Sequence, residues 1–109
     1  MKFAPLVLTV TLLASTSALA DLTCNLETQS TSKPYSKQSV ALKSAPFDDG
    51  TLLKATLGGV EAAASQKISK HGQVEVLLNV NGMVFRSYAL SAMVSDQQNG
   101  MLYFIDCAQ

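Results

Sequence analysis

The sequence predicts a mainly β protein: a small antiparallel β-sandwich or barrel formed by one domain. Three observations predict this class. Apolar and polar residues alternate with period two in several short segments, and turn-forming residues separate these segments at intervals of about eight to twelve residues. Strands also do not alternate with clear helical segments, as a parallel sheet would require. The prediction allows one short helix, at about 60–70.

Residues 1–20 predict a secretory signal peptide that is cleaved after Ala20. Lys2 gives a positively charged start, residues 3–13 are mostly apolar, and Ala18 and Ala20 place small side chains at the −3 and −1 positions. The apolar run of about 12 residues is shorter than the roughly 20 that a membrane-spanning helix needs. We therefore expect a periplasmic or secreted protein with no membrane anchor after signal removal.

The remaining segment, residues 21–109, has the size and composition of a single globular domain. Hydrophobic residues make up 48% of the chain, which is enough for a packed core. The chain carries eight basic and eight acidic residues, and the basic ones from Lys33 to Arg86 are scattered. Nucleic acids and anionic membrane surfaces bind concentrated basic patches, so neither is an expected partner.

The first predicted strand begins at Leu22, because Leu22, Cys24 and Leu26 alternate with polar residues. Segments of residues typical of turns and loops then alternate with short apolar runs. The elements that this pattern predicts are a polar loop at 29–39, a short strand at 40–43, a turn at 45–50, and a strand at 52–57 that stops at a sharp bend or bulge at Gly58-Gly59.

The stretch from Val60 to His71 fits two structures. Val60, Ala64 and Ile68 fall at helical spacing, and Gly72 stands where a helix C-terminal glycine is expected. The same stretch also alternates with period two, which makes residues 70–72 the tip of a hairpin. The strands predicted on both sides favour the hairpin, and the helix remains the alternative.

The clearest prediction is a hairpin centred on Asn81-Gly82, the preferred dipeptide of a two-residue type I′ turn. The two-residue turn fixes which residues of the two strands stand opposite each other. Core-facing residues of the strand at 74–80 pair with core-facing residues of the strand that follows the turn. On the other face Glu75 and Arg86 fall on a diagonal within pairing reach. The second strand is predicted as one long segment, 83–94, with a bend or a bulge.

After a turn at 95–100, the last strand is predicted at 101–107, with Tyr103, Ile105 and Cys107 on one face. Cys24 lies on the apolar face of the first strand. We therefore predict a structural disulfide between Cys24 and Cys107, which would place the protein in an oxidising compartment. In the chain-entropy model, a disulfide that closes a loop of roughly 80 residues stabilises the folded state by about 4.5 kcal/mol. The spacing does not fit a redox motif or a metal site.

Four large apolar residues fall on the face of their strands opposite the predicted core. Together they predict an interaction patch if they are connected in space. The methionines and aromatic residues of the C-terminal third, such as Met83 and Met93, alternatively line a pocket for a small molecule. The patch residues are Leu77, Leu90, Leu102 and Phe104.

The residue patterns that resemble catalytic or metal-binding motifs are all weak. His71, the only histidine, lies at a predicted turn, and the Ser30-x-x-Lys33 spacing lies in a loop rather than at a helix start. Asp48-Asp49-Gly50 is better explained as a turn than as a calcium loop. We therefore expect no enzyme activity, cofactor or metal.

The function that these observations predict is that of an exported, non-catalytic binding or interaction protein. The sequence does not identify its target, and a secreted or envelope protein is the expected class of partner. The alternative is a carrier that holds a small apolar ligand in the cavity of a β-barrel.

Overall fold

The computed structural model describes residues 21–109, so the predicted signal peptide lies outside the described residues. The strands are β1 (Thr23–Ser30), β2 (Lys37–Ala41), β3 (Lys43–Ser44), β4 (Gly50–Leu57), β5 (Val60–Lys67), β6 (Gln73–Val80), β7 (Met83–Ser87), β8 (Ser91–Asp96) and β9 (Met101–Ala108). They form two antiparallel sheets with the orders β2-β1-β9-β8 and β3-β4-β5-β6-β7. The predicted mainly β fold is therefore confirmed as a small sandwich. Since the two sheets share no strand among the described residues, the barrel alternative does not apply.

The core lies between the two sheets and is built from alternate residues of the central strands. Leu26 and Ile105 from one sheet and Val76 and Leu78 from the other are completely buried. Burying a side chain of this kind stabilises the folded state by about 1.5–3 kcal/mol. The buried apolar residues are Leu22, Cys24, Leu26, Leu42, Leu53, Val60, Ala62, Ala64, Val74, Val76, Leu78, Val80, Tyr103, Ile105 and Cys107.

The ambiguous stretch after residue 60 is a strand followed by a hairpin tip, so the favoured hairpin is confirmed and the alternative helix is wrong. All eight residues of β5 pair with β4 on one side and with β6 on the other. A helix there would leave the backbone groups of both neighbours unpaired inside the sheet. Only Ile68–Lys70 adopts a 3-10 turn, and His71 and Gly72 complete the hairpin tip with positive φ angles.

The predicted hairpin forms with the predicted register. Val80 pairs with Met83 and Leu78 with Phe85, and both turn residues, Asn81 and Gly82, have positive φ. On the outer face the Arg86 Nε lies 3.1 Å from the Glu75 Oε2, which confirms the diagonal pair. Gly58-Gly59 differs from the prediction: both residues have positive φ and form a second two-residue turn between β4 and β5, not a bulge.

The bend predicted within the long strand at 83–94 is present, but the prediction of one continuous strand is wrong. The strand ends at Ser87, bends through residues 88–90, and resumes as β8 in the other sheet. The physical reason is a change of phase, since the inward residue Phe85 has an odd number while the inward residues Ala92 and Val94 have even numbers. A single period-two strand cannot bury both sets.

Cys24 and Cys107 form the predicted disulfide, on directly opposite positions of β1 and β9. The Cys24 carbonyl accepts a hydrogen bond from the Leu42 N–H, and the Cys107 N–H donates to the Leu90 carbonyl, so the backbone groups of both cysteines point away from each other. This is the non-hydrogen-bonded type of pair, in which side chains approach most closely. Their Cα atoms lie 4.0 Å apart. The bond is compatible with an oxidising compartment.

Candidate functional site

His71 is exposed at the hairpin tip that follows the 3-10 turn. Its φ is +59°, and its backbone N–H donates to the Ile68 carbonyl at 3.0 Å. Among the described residues, no hydrogen bond joins its side chain to a serine or a carboxylate. The arrangement that nucleophilic catalysis requires, with a base held between a nucleophile and an orienting carboxylate, is therefore not formed around this residue in residues 21–109.

The other polar patterns contribute to turns. The Ser30 hydroxyl donates to the Ser32 carbonyl at 2.7 Å. The Asp49 carboxylate accepts hydrogen bonds from the Ser69 hydroxyl and, at 3.0 Å, from the Ser69 N–H. These bonds hold the pKa of Asp49 below its usual value, chiefly through the Ser69 hydroxyl. Asp49 thus joins the turn before β4 to the 3-10 turn, and within 21–109 no three acidic, histidine or cysteine residues are grouped as metal ligands.

The four residues of the predicted interaction patch lie on three different parts of the molecule. Leu77 is on the outer face of the five-stranded sheet, while Leu102 and Phe104 share the outer face of the four-stranded sheet. Leu90 lies in the segment that crosses between the sheets and is 39% exposed. The structure therefore brings together only Leu102 and Phe104, because a sandwich has two outer faces that point in opposite directions.

A different group of exposed apolar side chains lies on β7, on β8 and in the segment between them, with Val84 and Tyr88 on the outer face of the five-stranded sheet and Met93 on the outer face of the four-stranded sheet. Its members are between 39% and 65% exposed, and they include five of the seven large apolar residues that are exposed among the described residues. We call this group of residues, which spans both edge strands, the lateral surface. It consists of Met83, Val84, Tyr88, Leu90 and Met93.

Sequence reasoning found only Leu90 of the lateral surface as a patch residue. The hairpin register predicts Met83 on the core face opposite Val80. The structure keeps this register, but Met83 lies at the opening between the sheets and is 63% exposed. The change of phase between Phe85 and Ala92 was the available signal, because it is visible in the alternation of apolar residues.

A depression of about 280 Å³ beside Tyr88 has a charged lining that includes Lys67, Lys70 and Glu75. Two others border the lateral surface and are partly apolar. The first, of about 260 Å³, opens between the two sheets and is lined by Val80, Met83, Phe85 and Val94, with Asp96 at its polar side. The second, of about 620 Å³, is a shallow depression on the outer face of the four-stranded sheet, and Met93 and Phe104 form its apolar part. Both are open to solvent.

The edge strands differ in charge. β2 carries Lys37, whose Nζ lies 3.6 Å from the Glu27 Oε2. β3 carries Lys43, and β7 carries Arg86. In contrast, β8 has no charged residue before Asp96, its last position.

Comparisons of the chain with protein-family models, with curated proteins and with solved structures each found no match. In the part of the chain that the structure describes, no helix has the length and apolar character needed to cross a membrane.

Proposed function

We propose that the protein is an exported, non-catalytic binding protein that contacts a secreted or envelope protein through its lateral surface. The observation that carries the proposal is the concentration of five exposed apolar side chains within residues 83–93. Apolar side chains that stay exposed on edge strands gain stability when a partner covers them, which supports a role in binding. Tyr88, Met83 and Met93 are also of residue types that are enriched in protein interfaces.

The proposed compartment rests on two supports. The first 20 residues have the pattern of a cleavable signal peptide, and the Cys24–Cys107 disulfide persists in an oxidising environment. A periplasmic or secreted location would expose the lateral surface to envelope or extracellular proteins. Both supports are independent of the binding surface itself.

A pair of exposed tyrosines offers a matched test. Tyr88 lies on the lateral surface and is 65% exposed, whereas Tyr35 lies in the loop between β1 and β2 and is 68% exposed. Each is replaced in turn by a photo-reactive phenylalanine analogue in the oxidised chain, which is then irradiated with the envelope and secreted fractions of the producing cell. We expect a specific adduct from position 88 and none from position 35. The same adducts from both positions, or none from either, would contradict the proposal.

A second candidate function is the carriage of a small apolar ligand. The 260 Å³ depression between the sheets favours it, because apolar core-facing side chains such as Phe85 and Val94 line the opening. This volume is slightly smaller than the roughly 300–1,000 Å³ of typical ligand sites, so we place it second. Titration of a fluorescent apolar probe tests it: binding should be lost in Val94→Lys and kept in Ser39→Lys. Failure of the native chain to bind would exclude the carrier.

A further inference from the structure

The free edge of β8 lacks the protection that the other edges of the sandwich possess. Edge strands in native proteins are usually shielded by charged side chains, by proline or by bulges, because their unpaired backbone groups otherwise pair with another chain. β2, β3 and β7 each carry a lysine or an arginine. From Leu90 to Ser95 the β8 edge has neither a charge nor a proline.

The hydrogen bonds of β9 show which groups of β8 face this edge. The Cys107 N–H donates to the Leu90 carbonyl at 2.7 Å, so position 90 points its backbone toward β9. The backbone groups of successive residues in an antiparallel strand point to opposite sides, so the N–H and carbonyl groups of Ala92 and Val94 also point toward β9. The N–H and carbonyl groups of Ser91, Met93 and Ser95 therefore point to the free edge.

We propose that β8 pairs antiparallel with β8 of a second copy of this chain. The two-fold axis lies between the two Met93 residues, and Ser91 of each copy stands opposite Ser95 of the other. Each of the three outward-facing residues then exchanges backbone hydrogen bonds with an outward-facing residue of the other copy. The four-stranded sheets of the two copies become one continuous sheet. The inference rests on the proposed function in that Met93 belongs to the lateral surface.

The side chains around this axis favour a second copy as the occupant. On the outer face, Met93 is the direct neighbour of Phe104 on β9, so the two copies form one apolar row across the axis. On the inner face, Ala92 of one copy meets Val94 of the other, a pair of complementary size. Isologous contacts of this kind close after two copies and do not propagate.

When two copies of β8 pair about Met93, no two like charges come close together, whereas β7 carries an arginine near its centre. The two Asp96 residues stand at opposite ends of the paired strands, about 20 Å apart, which exceeds the screening length of about 8 Å. On β7 the backbone groups of Val84 and Arg86 face the free edge, and a pairing about Arg86 would place the two Arg86 side chains directly opposite each other, where like charges destabilise.

Sedimentation equilibrium of the purified, oxidised chain tests the pairing. We expect a reversible dimer whose dissociation constant rises by about tenfold or more in Met93→Lys, because two lysines would then face each other across the axis. Ser39→Lys is the matched control, since Ser39 lies on the same face, in the same cross-strand row and at the opposite edge of the sheet. Because Met93 is 60% exposed, the circular dichroism spectrum of Met93→Lys should stay unchanged, as should its melting temperature at a concentration at which both chains are monomeric.

Cysteine cross-linking tests the register. Residues opposite each other in a hydrogen-bonded antiparallel pair have Cα atoms about 5.5 Å apart, which suits a disulfide. Mild oxidation should therefore link Met93→Cys into a covalent dimer and leave Ser39→Cys monomeric, with the Cys24–Cys107 bond verified by peptide mapping. A chain that stays monomeric up to about 1 mM, or a dimer that Met93→Lys does not weaken, overturns the pairing.

The outcomes separate this inference from the proposed function. An adduct with a foreign protein at position 88, together with a monomeric purified chain, overturns the pairing and supports the binding function. A dimer with the expected Met93 dependence, together with no foreign adduct at position 88, supports the pairing and contradicts the binding function.

Discussion

Gly50 lies so close to Gln66 that a Cβ atom on Gly50 would stand 2.1 Å from the Gln66 main-chain oxygen. The φ of Gly50 is +128°, a region that side chains of L-amino acids rarely adopt. The residue opens β4 immediately after Asp49, where the chain is drawn against the end of β5. Both the close approach and the backbone angle therefore require glycine.

We predict that Gly50→Ala lowers the free energy of unfolding by about 3 kcal/mol or more, because backbone strain and a main-chain collision add. Urea denaturation followed by circular dichroism measures the change. Gly58→Ala is the matched control: its φ is +56°, and a Cβ there would meet no atom within 4 Å. This variant should lose only about 1–2 kcal/mol of unfolding free energy, the cost of holding an alanine in the left-handed backbone region. Equal losses in the two variants would contradict the assignment.

The disulfide provides a second prediction. It links residues separated by 83 positions, so it restricts the unfolded chain strongly. The double variant Cys24→Ala/Cys107→Ala should lose about 2–4 kcal/mol of unfolding free energy. Guanidinium denaturation of the oxidised wild type, the reduced wild type and the double variant measures it. The last two should agree closely, and an oxidised wild type no more stable than either would show that the bond does not stabilise the fold.

Local pattern and turn chemistry were sufficient to predict β1, β9 and the hairpin around Asn81-Gly82. In each case, alternation identifies the buried face and the turn residues identify the ends, and both are properties of neighbouring residues. The disulfide followed for the same reason, since both cysteines fall on core-facing positions. β2 was predicted too short because it begins with the polar residues Lys37, Gln38 and Ser39. An edge strand needs backbone pairing but little burial.

The assignment of strands to sheets could not be predicted, because it depends on contacts between distant segments. The chain changes sheet at Leu42 and again at residues 88–90. The first change is hidden by the strand candidate at 40–43, which spans it. The second places Leu77 in one sheet and Leu102 and Phe104 in the other, so these residues lie on different outer faces. A periodicity argument that assumes one sheet groups such residues incorrectly.

Gln66 is a buried polar residue with an incomplete set of hydrogen bonds. Its Nε2 donates to the Gly72 carbonyl at 3.1 Å, but among the described residues its buried Oε1 has no partner. An unsatisfied buried acceptor costs about 1–3 kcal/mol, whereas a hydrogen bond contributes a net stabilisation of about 0.5–1.5 kcal/mol, so the loss of the bond to Gly72 is offset by removal of the unpaired oxygen. We predict that Gln66→Met changes the unfolding free energy by less than about 1 kcal/mol in either direction.

Gln66→Glu, a variant of nearly the same shape, is the counterpart. It should lower the free energy of unfolding at neutral pH by about 3 kcal/mol or more, because it places an unpaired carboxylate in the core. Part of this loss should be recovered as the pH falls and the carboxylate becomes protonated. Urea denaturation at pH 7 and pH 5 measures both effects. A larger loss in Gln66→Met than in Gln66→Glu would mean that the hydrogen bond to Gly72 dominates at this site.

The bonds from Ser69 to Asp49 predict an acid-dependent contribution to stability. Because hydrogen bonding lowers the pKa of Asp49 in the folded state, the contribution is fully present above the unfolded-state pKa of about 3.9. It is lost as the pH falls through the lower pKa of the folded state. Wild-type stability should therefore decrease more steeply below pH 4 than that of Asp49→Asn, as measured by urea denaturation across this range.

Titration of the Asp49 carboxyl carbon by NMR tests the cause directly. Its midpoint should lie below the usual range in the wild type and move upward in Ser69→Ala, because the hydroxyl is the chief cause of the shift. Ser69→Thr keeps a hydroxyl and should keep the low midpoint. An unchanged midpoint in Ser69→Ala would assign the shift to the Ser69 N–H or to Lys67 and Lys70, and the steeper acid dependence would then survive removal of the hydroxyl.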